Sequence, residues 1–109
     1  MPTYIGKGFI TSFKFLWYIG EKIDINKNNV LTYKNKIIEY LKEKYKLNEL
    51  YILHKKDSIE IAIFYNIIQT ADPYCILDLS EKKDVSENFK KMKNDIEPDK
   101  DINLIVYSI

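Results

Sequence analysis

The sequence has no arginine, and it contains only one cysteine, one histidine and three glycines in 109 residues. A single cysteine, Cys75, excludes a disulfide framework within the chain and is typical of a reducing compartment, which predicts a cytoplasmic location. Because His54 is the only histidine, a zinc site built from cysteine and histidine is not favoured. Gly6 and Gly8 are not followed by a third glycine at Thr11, so no phosphate-binding loop is predicted.

Long apolar runs are also missing. No stretch of about 18 apolar residues occurs, so no membrane-spanning helix is predicted. The first residues lack the charged start and apolar stretch of a signal peptide, so we expect no export signal. With 46% hydrophobic and 30% charged residues, the composition is that of a globular protein, and the length predicts a single domain, residues 1–109.

The charge has two unusual features. Because arginine is absent, all 17 cations are lysines, a bias that an AT-rich genome imposes and that favours a low-GC bacterium, a phage, a large virus or a protist as the source. Residues 1–56 carry eleven lysines and five acids, a net charge of +6, whereas residues 57–109 carry a net charge of −5. The opposite charges of the two halves indicate either a charged partner or a fold in which the halves interleave and neutralise each other.

The stretch "FITSFKFLWY", residues 9–18, is rich in aromatic and β-branched side chains that alternate with period two. This alternation predicts a β-strand with one face directed to the core. Its core face would carry Phe9, Thr11, Phe13, Phe15 and Trp17, and its opposite face Ile10, Ser12, Lys14, Leu16 and Tyr18. The following "KIDI", residues 22–25, is predicted to be a short returning strand.

Two segments have the spacing of amphipathic helices. In "TYKNKIIEYLKEKYKL", residues 32–47, Thr32 is a candidate N-cap. The apolar side of this helix would consist of Tyr33, Ile37, Ile38, Leu41 and Tyr45. In "DVSENFKKMKNDI", residues 84–96, Asp84 and Glu87 resemble a capping box. The apolar side of this second helix would consist of Val85, Phe89, Met92 and Ile96.

The remaining segments indicate strands. "LYILH" and "IEIAIFYN" flank the charged turn "KKDS" and predict a β-hairpin, and "YCILDL", residues 74–79, predicts a further strand. "INLIVYSI", residues 102–109, is apolar on both faces, which favours a central position in the sheet. These elements predict an α+β fold with two helices packed on a mainly antiparallel four- to five-stranded sheet, close to the ferredoxin-like βαββαβ plan.

Two sequence motifs with known functions are present only in part, and each lacks residues that its function requires. "KGF" begins like the core octapeptide of the RNA-recognition motif, but Thr11 stands where the key aromatic is required. "DINKNN" begins like a calcium loop, but Asn29 and Asn35 stand where glycine and glutamate are required. Cys75 in an apolar strand and His54 at the end of a hairpin strand are expected to be structural. No catalytic residue, metal ligand or cofactor is therefore predicted.

Three functions stay open at this point. The first is a small non-enzymatic protein that binds and modulates a macromolecular partner, in the first place another protein, for example as a phage or mobile-element inhibitor of a host system; the aromatic excess and the divided charge favour it. The second is single-stranded nucleic-acid binding by a lysine- and tyrosine-rich surface. The third is a small enzyme with no recognisable motif.

The candidate partner-binding residues lie in two places. Lys14, Leu16 and Tyr18 share the outer face of the predicted opening strand, and Tyr51, Lys55 and Lys56 belong to the predicted hairpin. If the opening strand lies at a sheet edge, its apolar outer face also favours a homodimer.

Overall fold

The computed structural model describes residues 3–70 and 86–109. Four strands and three α-helices are present in these ranges. In chain order they are β1 (Thr3–Ser12), α1 (Phe13–Lys22), α2 (Lys34–Tyr45), β2 (Tyr51–His54), β3 (Glu60–Thr70), α3 (Glu87–Ile96) and β4 (Asn103–Ser108). A short 3-10 turn, Lys27–Asn29, precedes α2.

The described strands form one sheet with the order β2-β3-β1-β4, and all neighbours are antiparallel. This confirms the α+β class and the antiparallel sheet predicted from the sequence. The predicted count of two helices is wrong for the described residues, because both α1 and α2 stand in the connection between β1 and β2. The predicted strand at residues 74–79, together with Asp84 and Val85, lies outside the described residues.

The predicted opening strand ends at Ser12, and the rest of it is the helix α1. Ser12 has extended backbone angles and its hydroxyl accepts a hydrogen bond from the Lys14 amide at 3.3 Å, which is the geometry of an N-cap. The buried residues of α1 are Phe15, Leu16, Ile19 and Gly20. These positions follow helical spacing, and so many of residues 13–19 are apolar that alternation and helical spacing both fit the sequence.

The predicted returning strand at residues 22–25 is also wrong. Lys22 ends α1, and the amides of Ile23 and Ile25 both donate hydrogen bonds to the Gly20 carbonyl, at 3.2 and 2.8 Å. Asp24 between them has a φ angle of 60°, in the left-handed region. These contacts close the end of the helix instead of forming a strand.

Helix α2 is present as predicted, with a different start. Ile37, Leu41 and Tyr45 are buried, as their spacing indicated. The helix begins at Lys34, and the residue that caps it is Tyr33, whose side chain makes no capping hydrogen bond, so Thr32 is not the N-cap.

Helix α3 likewise starts later than predicted. Its N-cap is Ser86, whose hydroxyl accepts a hydrogen bond from the Phe89 amide at 3.3 Å. Phe89 and Met92 are buried and Ile96 is partly buried, which confirms the predicted apolar side within the described residues.

The ribbon formed by β1 and β3 is bent at Gly6 and Gly8. The register shifts between Ile5 and Gly6 and again between Lys7 and Gly8, and such bulges bend a strand and increase its twist. Any side chain at Gly8 would collide with the carbonyl group of Ile63. Glycine is therefore required here because the two backbones approach each other closely.

The two faces of the bent sheet carry separate apolar clusters. The face covered by the helices contributes Phe9, Ile52, Ile61 and Ile63 to a core that also contains Phe15, Leu16, Ile19, Ile37, Leu41, Phe89 and Met92. The concave face carries Ala62, Phe64 and Tyr107, with partly buried Ile10, Leu53, Ile67, Ile105 and Ile109 around them. Both faces of the sheet therefore bury apolar side chains.

Tyr107 shows how far the sheet is bent. In the sheet register, Tyr107 lies beside Tyr4, near the start of β1. Its hydroxyl nevertheless accepts a hydrogen bond from the Lys55 amide at 3.0 Å and donates one to the Glu60 carbonyl at 3.4 Å. Glu60 pairs with Ser12 at the opposite end of β1, so the Tyr107 hydroxyl joins β4 to the β2–β3 hairpin across the concave face.

We expect Tyr107→Phe to lower the free energy of unfolding by about 1 kcal/mol, because the Lys55 amide loses its partner while the ring stays packed. Urea unfolding followed by circular dichroism measures the change. The control is Tyr51→Phe, which removes an exposed hydroxyl that donates only to Glu49 and is expected to change stability by less than about 0.5 kcal/mol. Equal losses in the two variants would contradict the proposed role of Tyr107.

Among the described strands, β4 lies at the edge of the sheet and not in the central position that the sequence predicted. Within the described residues it pairs with β1 alone. Ile105 and Tyr107 face the concave cluster, whereas Leu104 and Val106, on the other face, are 44% and 50% exposed. The apolar side chains on this second face of β4 are therefore largely exposed, so they did not indicate a buried strand.

Candidate functional site

Two adjoining clefts lie at the end of the sheet where β1 runs into α1. The smaller, of about 220 Å³, is almost wholly apolar and is lined by Ser12, Phe13, Lys14, Trp17 and Ile59. The larger, of about 350 Å³, is lined by the same Ser12, Lys14 and Ile59 and by Ile10, Thr11, Glu60, Glu97 and Lys100. Because the clefts share three residues, we treat them as one site and call these ten residues the Ile59 groove.

Ile59 is the most exposed large apolar side chain of the described residues, with 77% of its surface accessible. The sequence pattern placed it in a strand beside Ile61 and Ile63. Strand β3 begins one residue later, at Glu60, so Ile59 stands at the end of the hairpin turn and not in the sheet. Ile59 does not stand alone on the surface, because it lines the apolar cleft together with Phe13 and Trp17 and forms one apolar patch with them.

The turn that carries Ile59 is held in place by His54. The Nε2 atom of His54 donates a hydrogen bond to the Ser58 carbonyl at 2.8 Å, and the Ser58 amide donates one to the Lys55 carbonyl at 3.1 Å. The His54 ring packs on Phe13, with 5.1 Å between the ring centroids. His54 thus connects one wall of the apolar cleft to the turn before Ile59.

Trp17 forms a further wall of the apolar cleft. It is partly buried and packs against the helix-side core. The Lys27 ammonium lies over the indole ring, 4.1 Å from its centroid, which is a favourable cation–π distance. The Trp17 ring is therefore held from two sides.

The larger cleft is polar and mixed in charge. The Thr11 hydroxyl donates a hydrogen bond to Glu97 Oε1 at 2.9 Å, which anchors the segment after α3 to the end of β1. The buried Lys93 ammonium donates to the carbonyls of Pro98 and Lys100 in the same segment. The two lysines and two glutamates among the cleft residues carry no net charge.

The structure separates the residues that were predicted to bind a partner. Lys14 is exposed and lines both clefts of the groove, and Lys55 and Lys56 are exposed in the turn that leads to Ile59. Leu16 is fully buried in the core, so its prediction as a surface residue is wrong: the helix α1 turns it inward.

Tyr18 and Tyr51 are surface residues outside the groove. Tyr18 lies on α1, 46% exposed, with the Lys22 ammonium 4.8 Å from its ring centroid. Tyr51 begins β2, and its hydroxyl donates to Glu49. The predicted set thus contributes one lining residue, Lys14, together with two lysines of the neighbouring turn.

Sequence reasoning missed Trp17, Ile59 and Glu97 as members of one site. Their proximity depends on the strand-to-helix change at Ser12, which redirects Phe13 and Trp17 toward the hairpin turn. A serine directly before an apolar run is a helix-start signal, and it was the one sequence feature that indicated this change.

The homodimer was expected if the opening strand lay at a sheet edge with an apolar outer face, and the structure shows neither feature. Strand β1 lies between β3 and β4, so it is not a sheet edge that a second chain extends. With Leu16 buried, the apolar outer face assumed for this segment is also absent. Self-association stays an untested expectation.

Chemistry involving metals or membranes gains no support from the described part of the chain. In residues 3–70 and 86–109, no three side chains of histidine, cysteine, aspartate or glutamate lie close enough together to hold a metal ion. Within the same ranges, no helix combines the length and apolar character needed to cross a bilayer. Cys75 lies outside the described residues.

Comparisons with protein families, with curated proteins and with solved structures gave no match to this chain. Its function is therefore inferred from the groove and the surface residues themselves.

Proposed function

We propose that this chain is a protein-binding module that receives a segment of a partner protein in the Ile59 groove. The observation that carries the proposal is the exposed Ile59 beside an apolar cleft walled by Phe13 and Trp17. Apolar and aromatic side chains around a concave site are the anchors that dominate the affinity of protein interfaces.

The size of the apolar cleft favours a single side chain as its occupant. At about 220 Å³ and with an almost wholly apolar lining, this part of the groove has room for one apolar side chain of a partner. A leucine, methionine or phenylalanine side chain of a partner would contact Phe13, Trp17 and Ile59 together. The hydrogen bond of His54 and the cation–π contact of Lys27 reduce the ordering that binding requires.

The mixed charge of the larger cleft favours a protein over a nucleic acid at this site. Glu60 and Glu97 would repel phosphates that approach Lys14 or Lys100. A polypeptide carries donors, acceptors and charges of both signs, so it matches this lining better than a polyanion does.

The proposal also includes two predictions from the sequence, modulation of a partner protein and a ferredoxin-like topology. As a modulator of a partner protein, for example an inhibitor of a host system, the chain would act by covering the partner segment that binds in the groove.

The strand order β2-β3-β1-β4 with antiparallel neighbours also supports a ferredoxin-like arrangement that has an additional helix in the first connection.

We expect Ile59→Asp to weaken binding of the partner at least tenfold, because a carboxylate would have to be desolvated against Phe13 and Trp17. The partner is captured from the native cell or host with the tagged wild-type chain after nuclease treatment. It is then purified, and its affinity for each variant is measured by isothermal titration calorimetry.

The matched control for this experiment is Leu31→Asp, which places the same charge at an exposed apolar position outside the groove. This variant should bind as the wild type does. The proposal fails if Ile59→Asp binds equally well, if both variants lose affinity alike, or if nuclease removes every captured partner.

A further inference from the structure

A second surface, separate from the Ile59 groove, lies between the end of α2 and the start of α3. It is a cleft of about 250 Å³, which we call the lysine cleft, and it is lined by Lys44, Tyr45, Lys46, Asn88 and Lys91. All three lysines are exposed. No acid stands among these five residues, so the cleft differs from the charge-balanced groove.

The shape of the lysine cleft is fixed by hydrogen bonds between the two helices. Lys46 ends α2 in the left-handed conformation, with a φ angle of 55°, and its carbonyl accepts a hydrogen bond from the Asn88 side-chain amide at 3.5 Å. The buried Tyr45 donates its hydroxyl to Asp95 Oδ2 at 3.0 Å. The lysines therefore extend from a packed junction between helices.

Acids of both helices lie near the lysine cleft but do not line it: Asp95 accepts from Tyr45 of the cleft itself, and Glu43 lines a neighbouring cleft with Tyr40 and Lys44. Glu87 pairs with Lys90 at 3.4 Å. In sequence, Glu87 and Asp95 each lie four residues from Lys91, a spacing suited to pairing with it along the helix. Among the described residues neither forms that ion pair, and Lys44 and Lys46 form none either. The lining of the cleft itself therefore carries three lysines and no acid.

Tyrosine rings border the lysine cleft. The Lys44 ammonium lies 5.7 Å from the Tyr40 ring centroid and 5.5 Å from that of Tyr45. Tyr40 is partly exposed and Tyr45 is buried. Burial, the hydrogen bond to Asp95 and the negative charge of Asp95 raise the pKa of Tyr45 to about 12, so Tyr45 keeps its proton and donates it to this hydrogen bond.

We propose that the lysine cleft binds single-stranded nucleic acid, with phosphates on Lys44, Lys46 and Lys91 and a base stacked on Tyr40. Lysines beside exposed aromatic rings are the combination used by proteins that bind single strands without sequence preference. An acidic polypeptide would match the lysines but has no planar base to stack on Tyr40. The nucleic-acid alternative from the sequence thus acquires a location different from the groove.

The test is fluorescence anisotropy of a labelled oligothymidylate of about 20 nucleotides at several salt concentrations, with the full chain. The triple variant Lys44→Gln, Lys46→Gln, Lys91→Gln should bind at least tenfold more weakly. Its slope of log affinity against log salt should be smaller by about 2, since each lost phosphate contact on a single strand removes about 0.7. Tyr40→Leu should weaken binding at least fivefold at constant charge.

Two controls separate the lysine cleft from general charge and from the groove. The triple variant Lys55→Gln, Lys56→Gln, Lys100→Gln removes the same charge elsewhere and should lose less than threefold in affinity. Ile59→Asp should bind the oligonucleotide as the wild type does, so the failure of either proposal is distinguishable from the failure of the other. Thermal unfolding establishes that each variant is folded.

Several results would overturn the proposal. These are wild-type protein that does not bind the oligonucleotide, equal losses in the two triple variants, and unchanged affinity in Tyr40→Leu. Competition by poly-glutamate as strong as competition by unlabelled oligothymidylate of equal charge would assign the cleft to acidic proteins instead.

Discussion

Gly8→Ala is expected to lower the free energy of unfolding by at least about 3 kcal/mol, at the upper end of what overpacking costs. A Cβ atom at this position would overlap the Ile63 carbonyl oxygen and would lie 2.8 Å from the Ile63 carbonyl carbon and 2.9 Å from the Phe64 Cα. These are backbone atoms of the paired strand, so no side-chain rotation relieves the contact. The strands would have to separate where the ribbon bends.

The chain supplies a matched control in Gly20→Ala. The nearest atom to a Cβ there is Val30 Cγ1 at 3.1 Å, so the buried valine would have to move by only a few tenths of an ångström. Gly20 lies inside α1, where alanine is favoured over glycine by about 1 kcal/mol. We therefore expect Gly20→Ala to stay within about 1 kcal/mol of the wild type, the gain in helix propensity offsetting the tight contact.

Urea unfolding of the three proteins, followed by circular dichroism, measures the difference. A loss of about 3 kcal/mol is a large part of the roughly 5–15 kcal/mol that stabilises a typical domain. The Gly8→Ala midpoint should therefore fall far below that of Gly20→Ala. Similar midpoints would show that the two strands do not approach closely at Gly8 and that the bend lies elsewhere.

The behaviour of Gly8 illustrates what the sequence alone reveals about this fold. The helical spacing of Ile37, Leu41 and Tyr45 and the turn "KKDS" correctly predicted α2 and the hairpin, because local periodicity reflects one-sided burial. A bend in a ribbon leaves no comparable period. Gly6 and Gly8 could be recognised as glycines, but their requirement arises from strand β3, more than fifty residues away.

The sequence of α1 presents a different difficulty, because it fits the patterns of two kinds of secondary structure. Its aromatic alternation satisfied the pattern of a strand, while Phe15, Leu16 and Ile19 satisfied that of a helix. Packing of these residues against the helix-side core decides for the helix, and that contact cannot be read from a local pattern. Since Phe13 and Trp17 line the groove through this helix, the candidate site was not predictable either.

The Phe89 ring is expected to be the strongest side-chain contact that docks α3 on the sheet. Phe89 is fully buried, and its ring centroid lies 6.0 Å from that of Phe9 and 5.5 Å from that of Tyr65, in tilted and edge-on arrangements. We expect Phe89→Ala to lower the free energy of unfolding by about 3–5 kcal/mol, since truncation of a buried phenylalanine leaves a cavity that its neighbours fill only in part.

Two variants on the same helix make this measurement specific. Phe89→Leu retains an apolar side chain of similar reach and should lose only about 1–2 kcal/mol. Lys90→Ala removes an exposed ion pair with Glu87 and should stay within about 0.5 kcal/mol of the wild type. If Phe89→Ala unfolds at the same urea concentration as Lys90→Ala, α3 is not held to the sheet by this ring. Both the Thr11–Glu97 contact of the groove and the lysine cleft would then lack the support assumed for them, because both depend on the position of α3.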